Sequence, residues 1–154
     1  MTTGYSQQPF HQRLNTMGDA AEGIFEEVAP LGAYVRFGFN RPPFKMGRMS
    51  SFLRHTPDYA TGTGHLVEVM GVGRDGVVKF KLDKYEALKQ WNRDDDVVLF
   101  IWNSATSEWT LARWGEVKSL VGKARKAGVL AFDDGNEYYP IDWSWFSSVL
   151  PYAA

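Results

Sequence analysis

Val97-Val98-Leu99-Phe100-Ile101-Trp102 is an uninterrupted apolar run of strand length. A strand with one face in water alternates apolar and polar residues, so a run without alternation belongs to a strand covered on both faces, the usual work of flanking helices. Upstream of the run, Tyr85, Leu88 and Trp91 recur at helical spacing, with Lys84, Lys89 and Arg93 on the other faces. Asp83 and Glu86 read as a capping box opening that helix, and Asp94-Asp95-Asp96 as an exposed connector after it. Downstream, Asn103 to Ser107 reads as a turn and Trp109 to Trp114 as the hairpin partner of the apolar strand. A helix at about 115–126, a strand at 129–132, a turn at 133–136 and a Trp-rich end complete the chain.

The first ninety residues supply the rest of the sheet. Met17, Ala21, Ile24, Phe25, Val28 and Leu31 lie on one helical face, and Thr16 with Asp19 suggests a capping box, which predicts a helix over about 16–29. Residues 1–14 are polar and aperiodic and read as a flexible arm. Strands are expected at 33–39, at 52–59 with Pro57 near its end, at 65–70 and at 77–82, the last two joined as a hairpin through the glycine-rich loop 71–76. The expectation is one α/β domain: a mixed β-sheet with flanking helices, with an order of helix, three strands, helix and buried strand, then C-terminal additions. Gly71-x-Gly73 precedes a strand and not a helix, so it is no dinucleotide fingerprint.

Composition narrows the chemistry. The 154 residues include no cysteine, which excludes disulfides, thiolate zinc sites and a thiol nucleophile, and leaves carboxylates and histidines as metal ligands. The setting expected is reducing and cytoplasmic, with no membrane partner, since no apolar run approaches the ~20 residues of a membrane helix. A formal charge of −1 conceals an asymmetry. Residues 1–93 carry 12 Lys and Arg against 9 Asp and Glu, and residues 94–154 carry 5 against 9. Arg36, Arg41, Lys45, Arg48 and Arg54 occur with no acidic residue among them from 36 to 54, interleaved with aromatic residues. Such a segment suits a nucleic-acid partner: cations bind phosphates, and an exposed ring stacks on an unpaired base. Phenylalanines of the 33–39 strand are read as core, leaving Phe44 as the stacking candidate.

Asp58 follows Pro57, and nine residues separate it from Glu68, inside the next strand. Two carboxylates on neighbouring strands suit Mg²⁺, which keeps several waters and needs few protein oxygens. Glu22, on the first helix, is a candidate third carboxylate or a group that orients a metal-bound water. The bland reading of Glu68 is a cross-strand ion pair with Lys81, worth ~0.2–1 kcal/mol. His55 and His65 bracket the Pro57-Asp58 motif without metal-ligand spacing.

Gly18-x-x-x-Glu22, His55-Thr-Pro57-Asp58 and Leu66-Val-Glu68-Val-Met70 resemble the PD-(D/E)XK nuclease superfamily, with the helix glutamate similar to that of its Holliday-junction-resolvase branch. The resemblance covers about residues 16–103, and Lys79 to Leu88 followed by Trp91 is similar to small phage-encoded members. It implies a restriction-endonuclease-like αβββαβ core, Mg²⁺- or Mn²⁺-dependent cleavage of DNA, branched or recombination intermediates among the substrates, Asp58 and Glu68 as metal ligands, and a homodimer. A phage-encoded protein would act in the host cytoplasm. The chain departs from the pattern at Met70, where the family has its lysine. Met70 can neither donate a proton nor stabilise an anion. Lys79 and Lys81 share a strand face, and a hairpin register pairing Val72 with Val77 would set them opposite Met70 and Glu68, so either is the expected replacement. The rival expectations are a nuclease-like protein that binds DNA without cutting it, and a phage structural or host-interaction protein using Trp143, Trp145 and Phe146 as its interface.

Overall fold

The computed structural model describes residues 10–38 and 50–152. In chain order the elements are helix α1 (Phe10–Val28), strand β1 (Tyr34–Arg36), the helical turn α2 (Ser51–Arg54), strands β2 (Tyr59–Thr61), β3 (His65–Val72) and β4 (Val77–Lys81), and helix α3 (Leu82–Trp91). Strands β5 (Asp96–Asn103) and β6 (Glu108–Arg113), helix α4 (Trp114–Ala127), strands β7 (Leu130–Ala131) and β8 (Glu137–Asp142), a 3-10 turn (Trp143–Trp145) and strand β9 (Leu150–Pro151) follow. The main sheet has the order β1-β2-β3-β5-β6-β9. Within it β3 and β5 run parallel over eight pairs, His65↔Asp96 to Val72↔Asn103, and the other neighbours are antiparallel.

The apolar run at 97–102 is central, as its pattern requires. Every residue from Val97 to Asn103 is buried. Val98 and Phe100 join Tyr59, Val67 and Val69 under Ala21 and Phe25 of α1, while Val97, Leu99 and Ile101 face α3, α4 and the second sheet. Phe25 packs its ring 4.6 Å from Tyr59 and 5.3 Å from Phe100. Burying such a side chain contributes ~1.5–3 kcal/mol relative to leaving it in water. The second sheet, β4-β8-β7, sits on the α3 and α4 side, where Val78, Phe80, Tyr139 and Ile141 enter that same apolar cluster.

The mixed sheet with flanking helices and the αβββαβ order of its core agree with expectation, β1, β2 and β3 being the three strands. Four local expectations need correction. Helix α1 already runs from Phe10, through Thr16 and Asp19, so residues 10–14 are helix rather than arm; residues 1–9 lie outside the described residues. The segment 52–59 is not one strand: Ser50 accepts a hydrogen bond from Leu53 N and caps the turn α2, and pairing resumes only at Tyr59. β3 and β4 form no hairpin. β2 and β5 occupy both edges of β3, and β4 pairs with β8 instead, Phe80 opposite Tyr139. Finally, α3 begins at Leu82 with no side-chain cap, so Asp83 lies inside its first turn.

Candidate active site

β3 alternates its faces. Val67 and Val69 point towards α1, whereas Leu66, Met70 and Val72 pack in the cluster under α3 and α4. Glu68 falls on the second face by the same period of two, and is only 6% exposed. A carboxylate in such a place requires a counter-charge. Lys84 provides it from the first turn of α3, its Nζ 3.0 Å from Glu68 Oε2. The other oxygen, Oε1, is buried and has no hydrogen-bond partner.

Asp58 approaches from the neighbouring strand. Tyr59 pairs with Val67 and Ala60 with Leu66, and the same register one step further sets Asp58 across from Glu68. Its carboxylate is anchored by backbone: Val69 N donates to Asp58 Oδ2 at 2.8 Å. Its own carbonyl accepts from Phe37 N at 2.9 Å and Gly38 N at 3.3 Å. Gly38 is needed there, because a Cβ on it would stand 2.6 Å from the carbonyl oxygens of both Thr56 and Pro57. Burial, and then repulsion by Glu68, push the Asp58 carboxyl up to about 8, against the pull of the Val69 amide, Lys84 and Arg36. For Lys84, burial would lower the pKa, but Glu68 and Asp58 outweigh it and hold the ammonium above its ordinary value.

Glu22 reaches the site only indirectly. It belongs to α1, on the opposite face of the sheet, and is met at the sheet edge by Arg36 of β1, whose Nη2 lies 3.2 Å from Glu22 Oε1 and 3.7 Å from Asp58 Oδ1. The guanidinium also lies 5.0 Å from the centre of the Tyr59 ring, and Tyr59 donates to Glu26 Oε2 at 2.5 Å. Burial raises the Glu22 pKa, opposed by the hydrogen bond from Arg36 and reinforced by Asp58.

The structure sets the two expected carboxylates opposite each other, and the cation beside Glu68 is Lys84 rather than Lys79 or Lys81. Lys79 and Lys81 lie on the second sheet; Lys79 pairs with Asp75 at 3.4 Å, and Lys81 Nζ sits 5.7 Å from the centre of the Phe132 ring. Neither faces Glu68, because the hairpin on which that placement depended does not form. Lys84 was missed as one more cation on a helix surface. Its signal was local: a lysine in a first turn opposes the helix dipole and needs a compensating partner. Of the basic segment, Arg36 is at the site, Arg54 ends α2 with its Nε buried and unpaired, and Arg41, Phe44, Lys45 and Arg48 lie outside the described residues. Phe37 is 44% exposed rather than core, whereas Trp143 and Phe146 are buried.

His55 neighbours this network through Asp83, Nε2 to Oδ2 at 3.5 Å, without forming a hydrogen bond. Burial, helped by the charge on Lys84, lowers its pKa to about 4, so its imidazole is neutral at physiological pH.

Among the described residues, no three His, Cys, Asp or Glu side chains gather as a metal cage. A cation at Asp58 and Glu68 would complete its shell largely with water, which suits Mg²⁺ or Mn²⁺. The unpartnered, buried Glu68 Oε1 fits that role, as does the mutual repulsion of the two carboxylates, which a cation would relieve. No described helix is long and apolar enough to cross a membrane.

Neither a family model nor a curated protein matches the sequence. Among solved structures, the chain is similar to Hjc, a Holliday junction resolvase of Archaeoglobus fulgidus, with a TM-score of 0.48 and 15% sequence identity over 84% of this chain and 94% of that one.

Proposed function

We propose that the protein is a metal-dependent deoxyribonuclease of the PD-(D/E)XK type, in which Asp58 and Glu68 hold Mg²⁺ or Mn²⁺ and Lys84 replaces the lysine absent at position 70. The observation that carries this reading is the Glu68 carboxylate: buried, paired on one oxygen with Lys84, unpartnered on the other, and faced by Asp58. Met70, in the motif position, packs against the apolar cluster.

The cation, when bound, supplies an acidified water and charge stabilisation at the phosphate. The protein supplies the rest. Asp58 and Glu68 are fixed by strand register and by the Val69 amide, so the ligands are positioned before any metal arrives. Lys84, held on Glu68, orients the attacking water and stabilises the extra negative charge that develops on the phosphate. Removing one such preorganised donor costs ~10²–10³ in rate. Arg36 extends cationic character along the sheet edge, and the acid-free run 36–54 supports a DNA partner bound through its phosphates. Branched DNA is the substrate class we favour, cut by a homodimer whose two sites act on two strands.

The test is incubation of the purified chain with four-way, forked, single-stranded and duplex DNA in Mg²⁺ or Mn²⁺. Cleavage that is abolished by Asp58→Asn and by Glu68→Gln is expected. No cleavage of any substrate, with DNA binding unaffected by Asp58→Ala, would establish the non-cutting reading instead.

A further inference from the structure

The two oxygens of Asp58 have different partners. Oδ2 is taken by the Val69 amide at 2.8 Å, so Oδ1 is the oxygen left to accept a cation, and it is Oδ1 that Arg36 faces at 3.7 Å. That distance is too long for a hydrogen bond. Arg36 is held elsewhere, by Glu22 at 3.2 Å and by the Tyr59 ring, while its side chain stays 30% exposed to solvent. A guanidinium so placed has a firm anchor, a weak hold on the metal-binding oxygen, and access to an incoming anion.

Resting on the metal site proposed above, we infer that Arg36 is a counter-ion for Asp58 that yields to the metal and then engages the substrate phosphate, and that Glu22 is its positioning residue and not a metal ligand. Charge supports the exchange. With all three carboxylates ionised, Asp58, Glu68 and Glu22 against Lys84 and Arg36 sum to one net negative charge. A divalent cation turns this to one positive charge, which a phosphodiester neutralises. Arg36 then has no reason to remain on Asp58 and a planar, five-donor group to offer the phosphate. The arrangement also accounts for a glutamate on the far face of the sheet: its contact with the site runs through Arg36.

Mn²⁺ binding, followed by the loss of the free-ion electron paramagnetic resonance signal, separates the roles without relying on cleavage. Arg36→Gln should tighten Mn²⁺ binding by roughly 3- to 10-fold, since a positive charge near Asp58 is removed. Arg36→Lys keeps the charge and should bind Mn²⁺ like the wild type. In Ca²⁺, both variants should bind a short fluorescein-labelled duplex more weakly than the wild type, because the planar fork is lost. Glu22→Gln should change Mn²⁺ affinity by less than about 3-fold and weaken DNA binding only where Arg36 is present, a coupling that a double-mutant cycle measures. Unchanged or weaker Mn²⁺ binding by Arg36→Gln would overturn the counter-ion role. A tenfold or greater loss in Glu22→Gln would make Glu22 a ligand and overturn the positioning role. Wild-type Mn²⁺ binding that is absent, or indifferent to Asp58→Asn, would remove the metal site itself and this inference with it.

Discussion

The ammonium of Lys84 lies 3.0 Å from Glu68 Oε2, joining the first turn of α3 to the middle of β3 across sixteen positions of sequence. The lysine side chain comes from a helix packed on the Glu68 face, and not from the strand that carries the glutamate. If Lys84 is the functional cation, Lys84→Met should lower DNA cleavage by ~10²-fold or more, the loss typical of one preorganised donor. Lys79→Ala and Lys81→Ala should stay near the wild-type rate. Single-turnover cleavage of one duplex or junction measures this; a severe loss in Lys79→Ala with an active Lys84→Met would reverse the assignment.

Burial, and then the charge on Glu68, push the Asp58 carboxyl up to about 8. The folded state therefore holds this proton more tightly than the unfolded chain does. Stability contributed by the protonated form is complete below the ordinary aspartate range and is lost as pH rises towards about 8. Asp58→Asn removes the titration and should raise stability at pH 8 by an amount on the order of 5 kcal/mol, about four pK units at about 1.4 kcal/mol each, with little effect near pH 4. Thermal melts in chelator at the two pH values test it, and a variant less stable than wild type at pH 8 would contradict the assigned shift.

His55 behaves in the opposite sense. Its pKa is depressed to about 4, so the unfolded chain binds the proton first, and stability is lost as pH falls from about 6.5 towards 4. Nuclear magnetic resonance should find its imidazole still neutral at pH 5. A midpoint at or above 6.5 would mean that the contact with Asp83 outweighs burial and the charge on Lys84.

Gly38→Ala should damage the site without touching a charged group. The added methyl would meet the carbonyl oxygens of Thr56 and Pro57 at 2.6 Å, forcing a shift in the segment that delivers Asp58. The expected result is a lower thermal midpoint together with weaker Mn²⁺ binding. A fall in stability with unchanged Mn²⁺ affinity would uncouple that segment from the metal site.

What the sequence made legible was the part governed by periodicity. The apolar run 97–102 announced a central strand, the spacing of Ala21, Ile24, Phe25 and Val28 announced α1, and Asp58 and Glu68 stood out by their spacing and by the family resemblance, the β2–β3 register then setting them opposite each other. The lysine was lost to a competition that periodicity does not express. A short glycine-rich loop favours a β3–β4 hairpin, but β3 has only two edges, and β5 fills one of them over eight pairs, six of them through the apolar run 97–102. β4 buries Val78 and Phe80 while exposing Lys79 and Lys81, a half-buried pattern that suits a smaller sheet packed over helices. Once β4 leaves, α3 can lie over Glu68 and bring Lys84 with it. The basic segment 39–49 is legible only as composition, since it lies outside the described residues.

The central claim is that Asp58 and Glu68 form one metal site under Lys84. Anomalous diffraction from a crystal of the protein soaked in Mn²⁺ tests it most directly. The account predicts a peak between the two carboxylates, in contact with Asp58 Oδ1 and Glu68 Oε1, with Lys84 still facing Glu68. Carboxylates that stand apart with no peak between them, in a crystal that binds Mn²⁺ elsewhere, would contradict it.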